Sequence, residues 1–244
     1  MGGASSRFAE TDWENASAGV KETIDGSVPN EHLSILTLQK NNSIVDQRSF
    51  EIRNDMDEIL YTSKPVVGST KWFDLCSASG KKLFCVHTDD LHEKWTIFTY
   101  NPVWEDQQGE ENLVGKEKIY RKARIDINHG KSHGQVFPYV QDWEHDTDFK
   151  GVTSDKSLLK VEEIKSKTAQ FQSYIPQPVL KDNPLVHPAP CGWWVWENTP
   201  NRHQMKMHLV KDSDIALHCI VAITANLVYV EKQSFESTAQ VLGQ

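Results

Sequence analysis

The chain has no long hydrophobic run. Its most apolar stretch, Ile215 to Val230, falls short of the ~18 to 20 residues a membrane-spanning helix requires and is flanked by charge at both ends. The N-terminus carries no apolar signal-peptide core, so the sequence reads as that of a cytoplasmic protein. Cysteine is sparse: Cys76, Cys85, Cys191 and Cys219 lie far apart with no CxxC pair. That spacing argues against a zinc site or a disulfide framework and leaves free buried thiols. Basic charge is in deficit. Lys and Arg number 26 against 34 Asp and Glu, a formal net charge of −8, and nucleic-acid binding needs the opposite balance. Catalytic signatures are missing as well: there is no G-x-S-x-G elbow and no H-E-x-x-H. GKS at Gly130–Ser132 lacks the leading P-loop glycine, since position 125 is Ile. DWEHDTD alternates Asp142, Glu144, Asp146 and Asp148, but an EF-hand loop would need Gly and Glu where Thr147 and Thr153 stand. These absences point to a non-enzymatic protein with no cofactor and no metal site.

Bulky core material is plentiful, with eight Trp, nine Phe and six Tyr. Ile215–Val230 is interrupted only by His218, Thr224 and Asn226, so as a helix it would be apolar nearly all round and must be enclosed by protein. Asp212 or Ser213 would cap it, and Asp214 would suit the positive end of its dipole. Upstream, from Leu33, short strand-like runs alternate with turn signals: HLSILTLQ, RSFEI, ILYTS, KWFDLC, KKLFCVH and KWTIFTY. This spacing suggests an antiparallel meander, with a hairpin at Ser77–Gly80 where Gly80 supplies a positive φ. KIYRKARIDIN, SLLKVEEI, AQFQSYI, GWWVWEN and QMKMHLV read as further strands, and the link from Asn128 to Asp155 reads as a surface excursion. The organisation expected is a flexible acidic arm over residues 1–30, one domain over 31–235 and a tail over 236–244.

Several segments together resemble a known family. SFEIRNDMDEILYTSK, WFDLCSASGKKLFCV, LHEKW at Leu91–Trp95 and the C-terminal DSDIALHCIVAITANLVYV are similar, in order, to the hairpins, the "L-H-x-R-W" element and the "D-x-A" helix of LURP-one-related proteins. That family belongs to the tubby C-terminal-like superfamily, with phospholipid scramblases as more distant cousins. The resemblance implies an α+β, mainly β fold: a closed antiparallel β-barrel enclosing the C-terminal hydrophobic helix. Within it, Trp95, Trp193, Trp194 and Trp196 would pack in the core or at the rim, and His218 and Asn226 would be buried polar groups in need of partners.

The resemblance also implies phosphoinositide or other anionic phospholipid binding through basic residues. The candidate residues are Lys118, Lys122 and Arg124, which with Tyr120 would share one strand face, joined by Lys81 and Lys82 after the hairpin turn. Gly2 in MGGASS fits the N-myristoylation pattern, and a single acyl chain holds a membrane only reversibly. The expected partner is therefore an anionic membrane lipid, met peripherally from the cytoplasm. The alternatives are a small apolar ligand inside the barrel, or a protein-interaction module without a lipid role.

Overall fold

The structure is a computed structural model that describes residues 11–40, 48–69, 72–88, 94–111, 117–128, 133–138, 158–165, 170–175, 189–196 and 204–227. Among the described residues thirteen strands precede one helix. They are β1 (Ser34–Lys40), β2 (Phe50–Arg53), β3 (Ile59–Pro65), β4 (Trp72–Ser77), β5 (Lys82–Thr88), β6 (Lys94–Thr99) and the two-residue β7 (Glu110–Glu111). There follow β8 (Lys118–Asn128), β9 (His133–Pro138), β10 (Leu159–Lys165), β11 (Gln170–Ile175), β12 (Ala189–Trp196) and β13 (Gln204–Leu209). The helix, α1, spans residues 215–227. No helix among the described residues is long and apolar enough to cross a membrane.

All pairings between these strands are antiparallel, in the order β6-β5-β4-β3-β2-β1-β13-β12-β11-β10-β9-β8-β7, with a further pairing between β6 and β8. The eleven-residue β8 outruns the six-residue β6. Its residues from Tyr120 to Asp126 pair with β6, while Lys118 and Ile119 pair instead with Glu111 and Glu110 of β7. Among the described residues β7 has β8 alone beside it, so the sheet keeps an edge where a barrel would have none. The expectation of a closed barrel around a long helix is corrected accordingly: the architecture is an antiparallel sheet with one short C-terminal helix.

The strands alternate as half-buried strands should. Leu36 and Leu38, Phe50 and Ile52, Phe73 and Leu75, Trp95 and Ile97, and Met205, Met207 and Leu209 are buried, and all join one core cluster. Helix α1 joins the same cluster, and every residue from Ala216 to Thr224 is buried. The helix is enclosed, as its all-round apolar surface requires. Asp214, expected only to meet the dipole, is the cap: its Oδ1 accepts the Leu217 N–H at 2.9 Å. Ser213 instead donates its hydroxyl to the Cys191 carbonyl. Trp95 and Trp194 are fully buried, and Trp193 stacks on His208 at 4.0 Å on the sheet. All four cysteines are free and buried.

Two local expectations are revised, and two further segments lie outside the described residues. The Asn128–Asp155 link is not all excursion, because β9 lies within it and pairs with both β8 and β10. The DWEHDTD and GKS segments lie outside the described residues. The flexible arm over residues 1–30 is, from Thr11 onward, laid against the fold. Ala18 and Ile24 are buried in the core, Ala18 N–H and Val20 N–H donate to the carbonyls of Lys211 and Asp212, and Ile24 N–H donates to Asp214 Oδ2. Its few apolar side chains are small or widely spaced, but backbone hydrogen bonds fasten what burial alone would not.

Candidate functional site: the lysine corner

The turn Ser77–Gly80 forms as expected, with Gly80 at φ 81° and its N–H donating to the Ser77 carbonyl at 2.9 Å. It delivers Lys81 and Lys82 to the start of β5. Because β5, β6 and β8 are successive neighbours, the same corner receives Glu117 and Lys118 at the start of β8. Lys82 Nζ lies 3.1 Å from Glu117 Oε2 and 3.2 Å from Asp74 Oδ2, and 5.6 Å from the Tyr100 ring centre. The Tyr100 hydroxyl donates to Asp74 Oδ1 at 3.1 Å. Partial burial pulls the Lys82 ammonium's pKa down, but its hydrogen bond to Glu117 and the nearby Asp74 carboxylate leave it raised overall. Burial, and then the Asp74 charge, push both Tyr100 and Cys85 well up, so each stays protonated.

Beneath this network lies a second apolar cluster, on the face of the sheet away from the main core. Cys85, Phe98 and Ile119 form it, with Val66, Trp72 and Tyr100 packed alongside. Trp72 stacks on Phe98 with centroids 6.0 Å apart. The lysine corner therefore rests on a packed floor. All three lysines are exposed, but Lys82 is engaged by Asp74 and Glu117.

The four lysines and one arginine of the expected patch do not share one face. A bulge separates Ala123, paired with Ile97, from Arg121, paired with Phe98, and Lys122 is the extra residue. The alternation breaks there. Lys122 acts toward Asp214, whose pKa burial raises and the lysine charge only partly offsets, while Arg124 is buried with its Nε 2.6 Å from Asp126 Oδ1 and its Nη2 2.6 Å from Oδ2. A buried, doubly held guanidinium has no charge to offer a ligand. The structure thus ties Lys82 to Asp74 and Glu117, leaves Lys81 and Lys118 exposed at the same end of the sheet, with Lys118 paired across from Glu111, and takes Arg124 out of the site. Gly2 lies outside the described residues.

Sequence reasoning missed the acids of this corner. Asp74 sits in an otherwise apolar strand, a conspicuous position that could have marked it as someone's partner. It expected a buried His218 in need of partners, but not which groups supply them. His218 Nδ1 donates to the Asp214 carbonyl at 2.6 Å, and its Nε2 lies 3.0 Å from Ser173 Oγ. Burial lowers the His218 pKa to about 4, so the ring is neutral and accepts the serine proton. The Asp214 carboxylate itself is turned away, toward the N–H groups of Ile24 and Leu217. With Ser173 and His218 both about 1 % exposed, this chain fastens α1 to β11 and leaves no access for a substrate.

Comparison with known proteins adds a likeness of fold. No family model matches the chain, and no curated protein does. The structure is similar to the X-ray structure of a protein from Arabidopsis thaliana, with a TM-score of 0.52 and 12% sequence identity, over 82% of this chain and 94% of that one. At that identity the likeness is one of fold alone.

Proposed function

We propose that the protein is a non-enzymatic cytoplasmic module that associates reversibly with membranes by binding anionic phospholipid headgroups at the corner formed by Lys81, Lys82 and Lys118. The observation that carries this reading is the ion pair from Lys82 to Glu117, which brings the segments bearing exposed Lys81 and Lys118 to one end of the sheet. Exposed ammonium groups suit a phosphate, and each juxtamembrane cation contributes about 1 kcal/mol at an anionic surface. The net charge of −8 opposes nonspecific adhesion, so attachment would depend on this local corner and on acylation at Gly2. The resemblance to LURP-one-related and tubby-like proteins supports the same reading. A small apolar ligand is disfavoured, since it would have to displace a helix buried from Ala216 to Thr224.

Co-sedimentation with vesicles of neutral lipid, with and without phosphoinositide, tests the proposal across a salt series. Binding should require the anionic lipid and weaken steadily with salt. Binding that ignores both variables, or none at all, would refute it.

A further inference from the structure

The N-terminal segment from Ser17 to Asn30 is held against one short corner of the chain, Val210–Asp214. Ser17 forms an isolated parallel bridge with Lys211, and its hydroxyl donates to Asp212 Oδ2 at 2.7 Å. Ala18 and Val20 donate their N–H groups to the carbonyls of Lys211 and Asp212. At the far end the Asn30 side chain donates to the Val210 carbonyl and accepts the Ser213 N–H, and the Asn30 carbonyl accepts the Asp212 N–H. Between these ends Thr23 and Ile24 are buried. The segment is a strap, latched at Ser17.

The latch has three properties that matter together. Ser17 is exposed, so its hydroxyl can be reached. It donates to a carboxylate, while its oxygen also accepts the Gly19 N–H at 3.2 Å. Asp212 is itself held at φ 58°, a left-handed conformation for a residue with a side chain, which sustains the Asp212 N–H bond to Asn30 and the carbonyl bond from Val20. Exposed Asp12, Glu14 and Glu22 flank the serine. We propose that Ser17 is a phosphoryl-acceptor site and that its modification unlatches the strap.

In the transfer, Ser17 Oγ attacks the γ-phosphorus of a nucleoside triphosphate carried by an acid-directed protein kinase. The Oγ–P bond forms, the bond from the γ-phosphorus to the bridging oxygen breaks, the nucleoside diphosphate leaves, and the hydroxyl proton passes to a base of the kinase. The product oxygen has no proton left to donate. It also brings about −1.5 to −2 charges against Asp212. A charge-assisted hydrogen bond becomes an acceptor facing an acceptor, with further carboxylates at Asp214 and Asp25 along the strap. Lys211 offers compensating charge from its exposed side chain, but its backbone is what the strap must leave. Release would bare the core surface that Ala18 and Ile24 cover.

The test uses the full chain with phosphoserine incorporated at position 17. Readouts are amide exchange at Ala18, Val20, Ile24 and Asp212, and tryptic cleavage after the exposed Lys21. Both should accelerate roughly tenfold or more, the equivalent of losing one charge-assisted hydrogen bond. The α1 amides from Cys219 to Ile223 should keep their protection. Ser17→Ala, which loses the donor without adding charge, should give a smaller acceleration. Strap exchange within twofold of the unmodified protein would overturn the proposal. So would loss of protection throughout α1, or failure of an acid-directed kinase with its triphosphate to label Ser17 in the intact chain.

Discussion

Replacing Gly192 by alanine should be among the most damaging single-methyl changes this fold can receive. Cys191 is the extra residue of a bulge in β12, and it brings the Gly192 backbone hard against β13. A Cβ placed there would collide with the His208 carbonyl oxygen, lie 2.7 Å from Leu209 Cδ2 and 3.2 Å from Leu209 Cα. Two of these three contacts are backbone in a strand paired on both sides, so relief requires moving β13 away from β12 or β1. Overpacking of this kind costs ~1 to 3 kcal/mol, and a backbone shift puts this site at the upper end. In a domain of this size that corresponds to a fall in Tm of roughly 6 to 10 °C. Two other glycines serve as controls. At Gly109 the added Cβ meets the Tyr120 ring edge at 2.9 Å, a side chain that can swing aside. At Gly68 it meets nothing within 4 Å, and only the positive φ of 84° opposes it, for about 1 kcal/mol. Urea unfolding should rank Gly192→Ala well above both. A Gly192→Ala midpoint equal to that of Gly68→Ala would refute the close-approach argument.

Two further predictions concern charge. Burial raises the Asp214 pKa to about 6, so its contribution to stability is fully present below the unfolded value near 4 and is lost as pH rises through 6. His218 runs the other way: lowered to about 4, it contributes above its unfolded value of 6.5 and that contribution is lost as pH falls toward 4. The two slopes oppose one another between pH 4 and 6, at on the order of 2 to 3 kcal/mol each. Asp214→Asn should therefore steepen the loss of stability on acidification from pH 6.5 to 4, and unfolding midpoints across that range check it. Separately, Lys82→Ala should destabilise by ~1 to 2 kcal/mol, because it strands the nearly buried Asp74, whereas Lys81→Ala and Lys118→Ala should stay within ~0.5 kcal/mol. Chemical denaturation of the three variants distinguishes them.

Much of the fold was legible because strands announce themselves by period. Runs such as SILTLQK and QMKMHL alternate buried and exposed residues as their sequences suggest. The two missed strands lack that signal. Glu110–Glu111 is a strand only because β8 runs past β6 and supplies a partner, and HGQVFP lies in a polar link whose alternation is too short to read. The lysine patch was half legible. Adjacency along β8 was readable, but the bulge at Lys122 arises from the different pairing demands of β6 and β8 and leaves no local mark. The strap was hidden for a related reason. Its partners lie about 190 residues away and are mostly backbone groups, which a run of Ser, Ala, Gly and Asp does not advertise.

The most direct measurement for the headgroup reading is co-sedimentation of Lys81→Glu/Lys118→Glu with phosphoinositide vesicles, beside a Lys94→Glu/Lys206→Glu control of equal net charge. Both pairs of lysines are exposed, and only the first lies at the corner. The account predicts that the corner variant loses roughly tenfold or more in binding, about 1 kcal/mol for each lysine removed with repulsion added, while the control stays close to the parent. Equal losses in the two variants would make the effect one of overall charge, and full binding by the corner variant would contradict the account outright.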